Sequence, residues 1–96
     1  MAEWTPTGHL LKVWREFFDP LASGAKSFEV RQDDRGFQVG DMLFLAEWHE
    51  HIERFTGRVT VRRVSYILKG GKFGVQKGHV VLGLEVIPPA GLLGGA

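Results

Sequence analysis

The stretch Gly24-Ala25-Lys26-Ser27-Phe28-Glu29-Val30-Arg31 brings an ammonium, a carboxylate and a guanidinium into one short run. In an extended chain Glu29 and Arg31 point to one face, while Phe28 and Val30 point to the other. Where the charged face lines a cleft, Arg31 can grip a phosphate or a carboxylate in bidentate fashion. Lys26 is then a second anion contact or, once desolvated, a base or nucleophile. Glu29 can orient either cation, or accept from an amino group on a base edge. The same spacing also fits a structural ion pair between Glu29 and Arg31 that ties the strand to a neighbour.

Other residue types extend this chemistry. Bases stack on aromatic rings, and Trp14, Trp48, Phe37 and Tyr66 are the candidate platforms, although aromatic side chains also build cores. Lys12 lies two residues before Trp14 and adds a cation for an anionic ligand. His9 can hydrogen-bond a base edge or a phosphate, or serve as a satisfied structural residue. Residues Arg54 to Lys77 include Arg54, Arg58, Arg62, Arg63, Lys69, Lys72 and Lys77 and no acid. Such a basic half can steer toward phosphates although the net charge is only +1. Arg62 and Arg63, with the Lys69–Gly78 loop, are its candidate backbone contacts. Exposed, solvated charge accounts for the same pattern without a ligand. His49-Glu50-His51 lacks a third placed ligand, so no metal is expected. Gly70-Gly71-Lys72-Phe73-Gly74 lacks the spacing and the following helix of a phosphate loop, which argues against ATP. No cofactor is expected.

The elements that must position these residues are short. His9–Trp14 reads as a first strand. Arg15–Ser23 reads as a short or broken helix, with Phe17, Phe18, Leu21 and Ala22 on one face. Asp19-Pro20 can restart that helix as a cap followed by Pro at the first position, and Gly24 ends it. Ser27–Gln32 alternates as a strand. Asp33-Asp34-Arg35-Gly36 and Gly40-Asp41 read as turns. Asp41–Trp48 carries apolar residues on both faces, which predicts a central strand covered on both sides. His49–Thr56 reads as a polar loop and Gly57–Leu68 as a strand. The slip of its apolar phase predicts a bulge near Arg62-Arg63. Lys69–Gly78 reads as a loop and Val80–Ile87 as the last strand. The expectation is a mainly β (α+β) fold of about five strands and one short helix, curled into a small barrel that removes exposed edges.

Several separated segments together resemble the DUF3850 family, which is related to the ASCH domains of the PUA-like superfamily. They are His9-Leu10-Leu11-Lys12-Val13-Trp14, then Ser23 to Arg31, then Asp34-Arg35-Gly36-Phe37-Gln38-Val39-Gly40-Asp41, Tyr66-Ile67-Leu68 and Gly78-His79-Val80-Val81-Leu82-Gly83. The resemblance covers about residues 8–87. It implies a PUA-like β-barrel and a link to RNA or modified nucleotides. It also makes the 24–31 segment the candidate cleft, with His9, Lys12, Lys26, Glu29, Arg31, Arg35, Trp48, Arg62 and Arg63 as candidate contacts. In the ASCH branch that hydrolyses acylated nucleosides, Lys26 matches the pattern's lysine. Glu29 stands where that branch has threonine, so the same hydrolytic mechanism does not carry over directly.

Size and composition bound the rest. A chain of 96 residues makes one domain. Residues 1–7 and 88–96 are expected to be mobile flanks of a domain at 8–87. The chain has no cysteine, which excludes disulfides and thiolate metal sites and suits the cytoplasm. It has no signal peptide pattern and no apolar run of about 20 residues. Three functions remain open. They are a module binding RNA or a modified nucleotide, a hydrolase of a modified nucleoside or of RNA in the same cleft with Lys26 and Glu29 as catalytic residues, and a protein-interaction module.

Overall fold

The computed structural model describes residues 7–87, and the expectations for residues 1–6 and 88–96 lie outside them. The elements are β1 (Gly8–Trp14), α1 (Arg15–Ser23), β2 (Phe28–Gln32), β3 (Met42–His49), β4 (Arg54–Lys69) and β5 (His79–Val86). The strands form one five-stranded sheet in the order β1-β3-β4-β5-β2. Only the β1–β3 pair is parallel. The fold is mainly β with one short helix, and the sheet curls into a half-barrel. It is not closed by a backbone ladder, because β1 and β2 remain as its two edges. No helix among the described residues is long and apolar enough to cross a membrane.

The core lies on the inner face of the sheet. Leu11, Leu43, Leu45 and Leu82 are all but fully buried there, and Phe18 and Leu21 of α1 seal it. Burying each such side chain stabilises the fold by roughly 1.5–3 kcal/mol. The helix runs unbroken through Pro20. Pro20 lacks the N–H that would bond the Glu16 carbonyl, so one bond is missing from a two-turn element rather than the element itself. Gly24, at φ 88°, ends the helix in the left-handed conformation that glycine adopts without steric cost. Of the four residues expected on one apolar face, Phe18 and Leu21 are buried and Phe17 and Ala22 are exposed.

Three sequence expectations are corrected. β3 is an inner strand covered unevenly: Leu43 and Leu45 are buried on one face, while on the other Ala46 is buried and Phe44 is exposed. β4 starts at Arg54 rather than Gly57, because Phe55 pairs with Trp48 across the ladder and packs edge-to-face on its ring at 4.9 Å. The register slip in β4 falls between Val64 and Tyr66 rather than at Arg62-Arg63, and a second shift interrupts the β3–β4 pairing where Ala46 pairs Val59 and Trp48 pairs Phe55.

Candidate functional site

β2 is a strand with its polarity turned outside in. Phe28 and Val30 are exposed, whereas Glu29 is 5% exposed on the inner face. Hydrophobicity alone favours the opposite orientation. The inward position holds because Glu29 arrives with its partners. Its Oε1 accepts from Lys26 Nζ at 2.5 Å, and its Oε2 accepts from Arg31 Nε at 2.9 Å. A buried carboxylate satisfied by two cations avoids the penalty of an unpaired buried charge. Lys26 is placed by the helix end, where its N–H donates to the Pro20 carbonyl. Its ammonium lies 4.9 Å from the Phe28 ring centroid, within cation–π range.

Arg31 also reaches across the open seam. Its Nη2 donates to the Lys12 carbonyl at 2.6 Å, and Arg35 Nη1 donates to the Leu10 carbonyl at 2.9 Å. The Thr7 carbonyl accepts from Met42 N–H, so odd-numbered residues of β1 turn their backbone groups to β3 and even-numbered ones face outward. Two guanidinium groups thus occupy carbonyls of a bare strand edge. On β2, Leu84 N–H donates to the Ser27 carbonyl and Asp33 N–H to the Gly78 carbonyl. Odd-numbered residues therefore face β5, and Phe28, Val30 and Gln32 present their backbone groups to the seam.

Between the two edges runs an open groove of about 570 Å³, within the usual range for small-molecule sites. Lys26, Glu29 and Arg31 line it, as do Lys12, Trp14 and Phe17. Phe28, Val30, Gln32 and His79 complete its β2–β5 wall. It thus has three cations against one carboxylate. Trp14, Phe17 and Phe28 each expose about half of their surface. Glu29 and Arg31 form the ion pair that the spacing allowed, and that pair lies in an open groove.

The remaining candidates scatter. His9 is buried, with Nε2 2.8 Å from Asp41 Oδ2 and its ring edge-to-face on Phe37 at 4.8 Å. It orders the turn before β3, since Asp41 also accepts from Gln38 N–H. Trp48 lies beneath Lys12, whose Nζ is 3.9 Å from its ring centroid. Arg62 caps the helix, its Nη2 donating to the Leu21 and Ala22 carbonyls at 2.9 and 3.1 Å. Arg63 pairs with Glu85 at 2.6 Å. The basic half of the sequence is therefore not one patch. Phe17, Phe28, Gln32 and His79 line the groove although sequence reasoning passed over them. Gln32 could have been found by extending the Phe28–Val30 alternation one step; His79 enters only as its cross-strand partner. Among the described residues no three His, Cys, Asp or Glu side chains converge as metal ligands.

A second buried carboxylate provides a contrast. Glu47 is 6% exposed. It accepts from Thr56 Oγ1 at 2.6 Å and from Arg58 Nη1 at 3.3 Å. Arg58 also donates to Asp19 at 2.6 Å and lies 4.6 Å from the Phe18 ring centroid. That Asp19 hydrogen bond raises Arg58 further above its ordinary value. This cluster pins the helix to the sheet.

An uncharacterized 12.9 kDa protein in the GpA 3' region of Escherichia phage P2 is 37% identical over 57 residues, 59% of this chain. The match spans 50% of that relative's length. The family model described as a domain of unknown function, DUF3850, matches residues 8–84, from the first strand through most of the last. On that match the chain belongs to the DUF3850 family.

Proposed function

We propose that the seam groove binds RNA or a nucleotide. The observation that carries this reading is the composition of one wall-to-wall space: Lys12, Lys26 and Arg31 against a single carboxylate, beside the half-exposed rings of Trp14, Phe17 and Phe28. Cations hold phosphates and rings stack on bases. The same proposal places the domain among the PUA-like, ASCH-related folds, supported by the half-barrel and the one short helix packed on its core. Hydrolysis in the groove finds less support, because a nucleophilic or basic Lys26 requires release of its Nζ from Glu29.

Fluorescence titration with cytidine monophosphate and short RNAs at rising salt tests the reading. Trp14 supplies a reporter in the groove. Affinity is expected to fall with salt, and Lys12→Ala is expected to weaken it about three- to tenfold by removing one phosphate contact without touching the core. Binding that ignores both salt and Lys12 rejects the proposal. Incubation with N4-acylated cytidines decides the hydrolytic alternative, which fails if wild type and Lys26→Ala give the same background.

A further inference from the structure

The loop between β4 and β5 carries a feature that the groove does not use. Phe73 is 84% exposed, more than any other large apolar side chain among the described residues. Its backbone sits at φ 54°, a left-handed region that L-residues with side chains rarely occupy. A slack loop would let such a residue relax and fold its ring onto the surface. This loop is tied at several points. Gly70 N–H donates to the His79 carbonyl, Gly71 N–H to Val75 and Val75 N–H to Lys72. At Gly70 an added Cβ would lie 2.0 Å from the Gln76 carbonyl oxygen, so the close approach that fixes the loop requires glycine. The ring is held away from the protein by a rigid support.

Its surroundings are basic. The segment Lys69–His79 contains Lys69, Lys72 and Lys77 and no acid. Lys69 Nζ lies 3.6 Å from Asp33, while among the described residues neither Lys72 nor Lys77 has an acidic partner. The loop also adjoins the groove. His79, the first residue of β5 after the loop, lines the groove beside its cross-strand partner Gln32. Gly78 accepts from Asp33 N–H, which ties the loop to the end of β2. Lys77 stands two residues before His79, and Phe73 four residues before Lys77, on the same loop.

We infer that this loop is a second contact for the same ligand, with Phe73 as a stacking platform and Lys72 and Lys77 as phosphate contacts. The ligand is then a single-stranded oligonucleotide rather than a free nucleotide. The inference rests on the groove reading but adds a separate surface. A rigid exposed ring between unpaired lysines is the recurring arrangement of sequence-tolerant single-strand binding.

The test compares a mononucleotide with single-stranded RNA of about eight nucleotides, a length typical of one small binding fold. Wild type, Phe73→Ala, Phe73→Leu, Phe73→Trp and the double variant Lys72→Ala/Lys77→Ala are measured over a salt series. Phe73→Ala is expected to weaken oligonucleotide binding about tenfold and leave mononucleotide binding unchanged. Phe73→Trp is expected to retain binding and Phe73→Leu to lose it, which separates stacking from plain apolar contact. The double lysine variant is expected to reduce the salt slope by about 1.4. Oligonucleotide affinity equal in all Phe73 variants overturns the inference and leaves the groove reading standing. Oligonucleotide binding that needs Phe73 but ignores Lys12, with no mononucleotide bound, overturns the groove reading instead. No binding at either length overturns both.

Discussion

Two glutamates, Glu29 and Glu47, are buried to nearly the same degree and each accepts from two side chains, yet they stand in different settings. Glu47 accepts from Thr56 and Arg58, and Arg58 in turn reaches the helix residues Asp19 and Phe18. Glu29 holds Lys26 and Arg31 at the wall of an open groove with aromatic sides. Burial and pairing alone therefore do not mark a site. The difference is the space beside the paired cations: Arg58, itself half exposed, is held by a second acid, Asp19, and borders only a shallow hollow of about 220 Å³, whereas Lys26 and Arg31 share one carboxylate and line a groove of about 570 Å³.

The contrast can be broken most forcefully at Glu29. Glu29→Ala removes the shared counter-charge of two cations, and Lys26 keeps no other acidic partner among the described residues. A loss of about 3 kcal/mol in denaturant stability is expected, together with altered nucleotide binding. Glu47→Ala is expected to cost less, about 2 kcal/mol, because Arg58 keeps Asp19; groove affinity should not change. If Glu47→Ala weakens binding as much as Glu29→Ala, the distinction between lock and site collapses. Arg62→Ala removes the donor of the Ala22 carbonyl, while the Leu21 carbonyl keeps the Gly24 N–H, and a loss of about 1 kcal/mol is expected, again with binding intact.

A third glutamate supplies the smallest effect and the exposed limit of the comparison. Glu50 lies on the surface, and its hydrogen bond from Arg15 lowers its carboxyl from 4.5 to about 2. A carboxyl depressed in the folded state adds stability above its unfolded value, and that contribution fades as pH falls from about 4.5 toward 2. Salt screens such a pair strongly. Arg15→Ala is expected to raise Glu50 toward the ordinary carboxylate range in an NMR titration, its backbone hydrogen bond still holding it somewhat low, and to change stability at neutral pH hardly at all.

Much of the fold could be read from alternation and turn chemistry: the helix between the first two strands, the stop at Gly24, the turn at Asp33–Gly36 and the final strand. The Glu29–Arg31 face was equally legible. Its direction was not, since period-two spacing separates two faces without saying which turns inward. Hydrophobicity would bury Phe28 and Val30; the prior pairing of Glu29 with Lys26 and Arg31 reverses that choice. The role of Arg62 was beyond reach as well. Its helix-capping bonds join residues 41 and 40 positions apart, and nothing local in Arg62-Arg63 announces them. The basic run dispersed for the same reason, because Arg58, Arg62 and Arg63 each found partners through tertiary contact. The uneven cover of β3, with Ala46 buried and Phe44 exposed on one face, depended on what packs over each position, which its own residues do not encode.

The seam that Arg31 and Arg35 bridge has a consequence for how the molecule opens. Both clasps hold carbonyls of β1, so the amides of Leu10, Lys12 and Trp14 along that edge have no strand beside them, while those of Leu11 and Val13 bond to β3. Deuterium should enter this strand in alternation, fast at even positions and slow at odd ones, until the whole edge peels away. Replacing Arg31 should leave that alternation intact and hasten the peeling, making one guanidinium the latch that sets how often the edge comes loose.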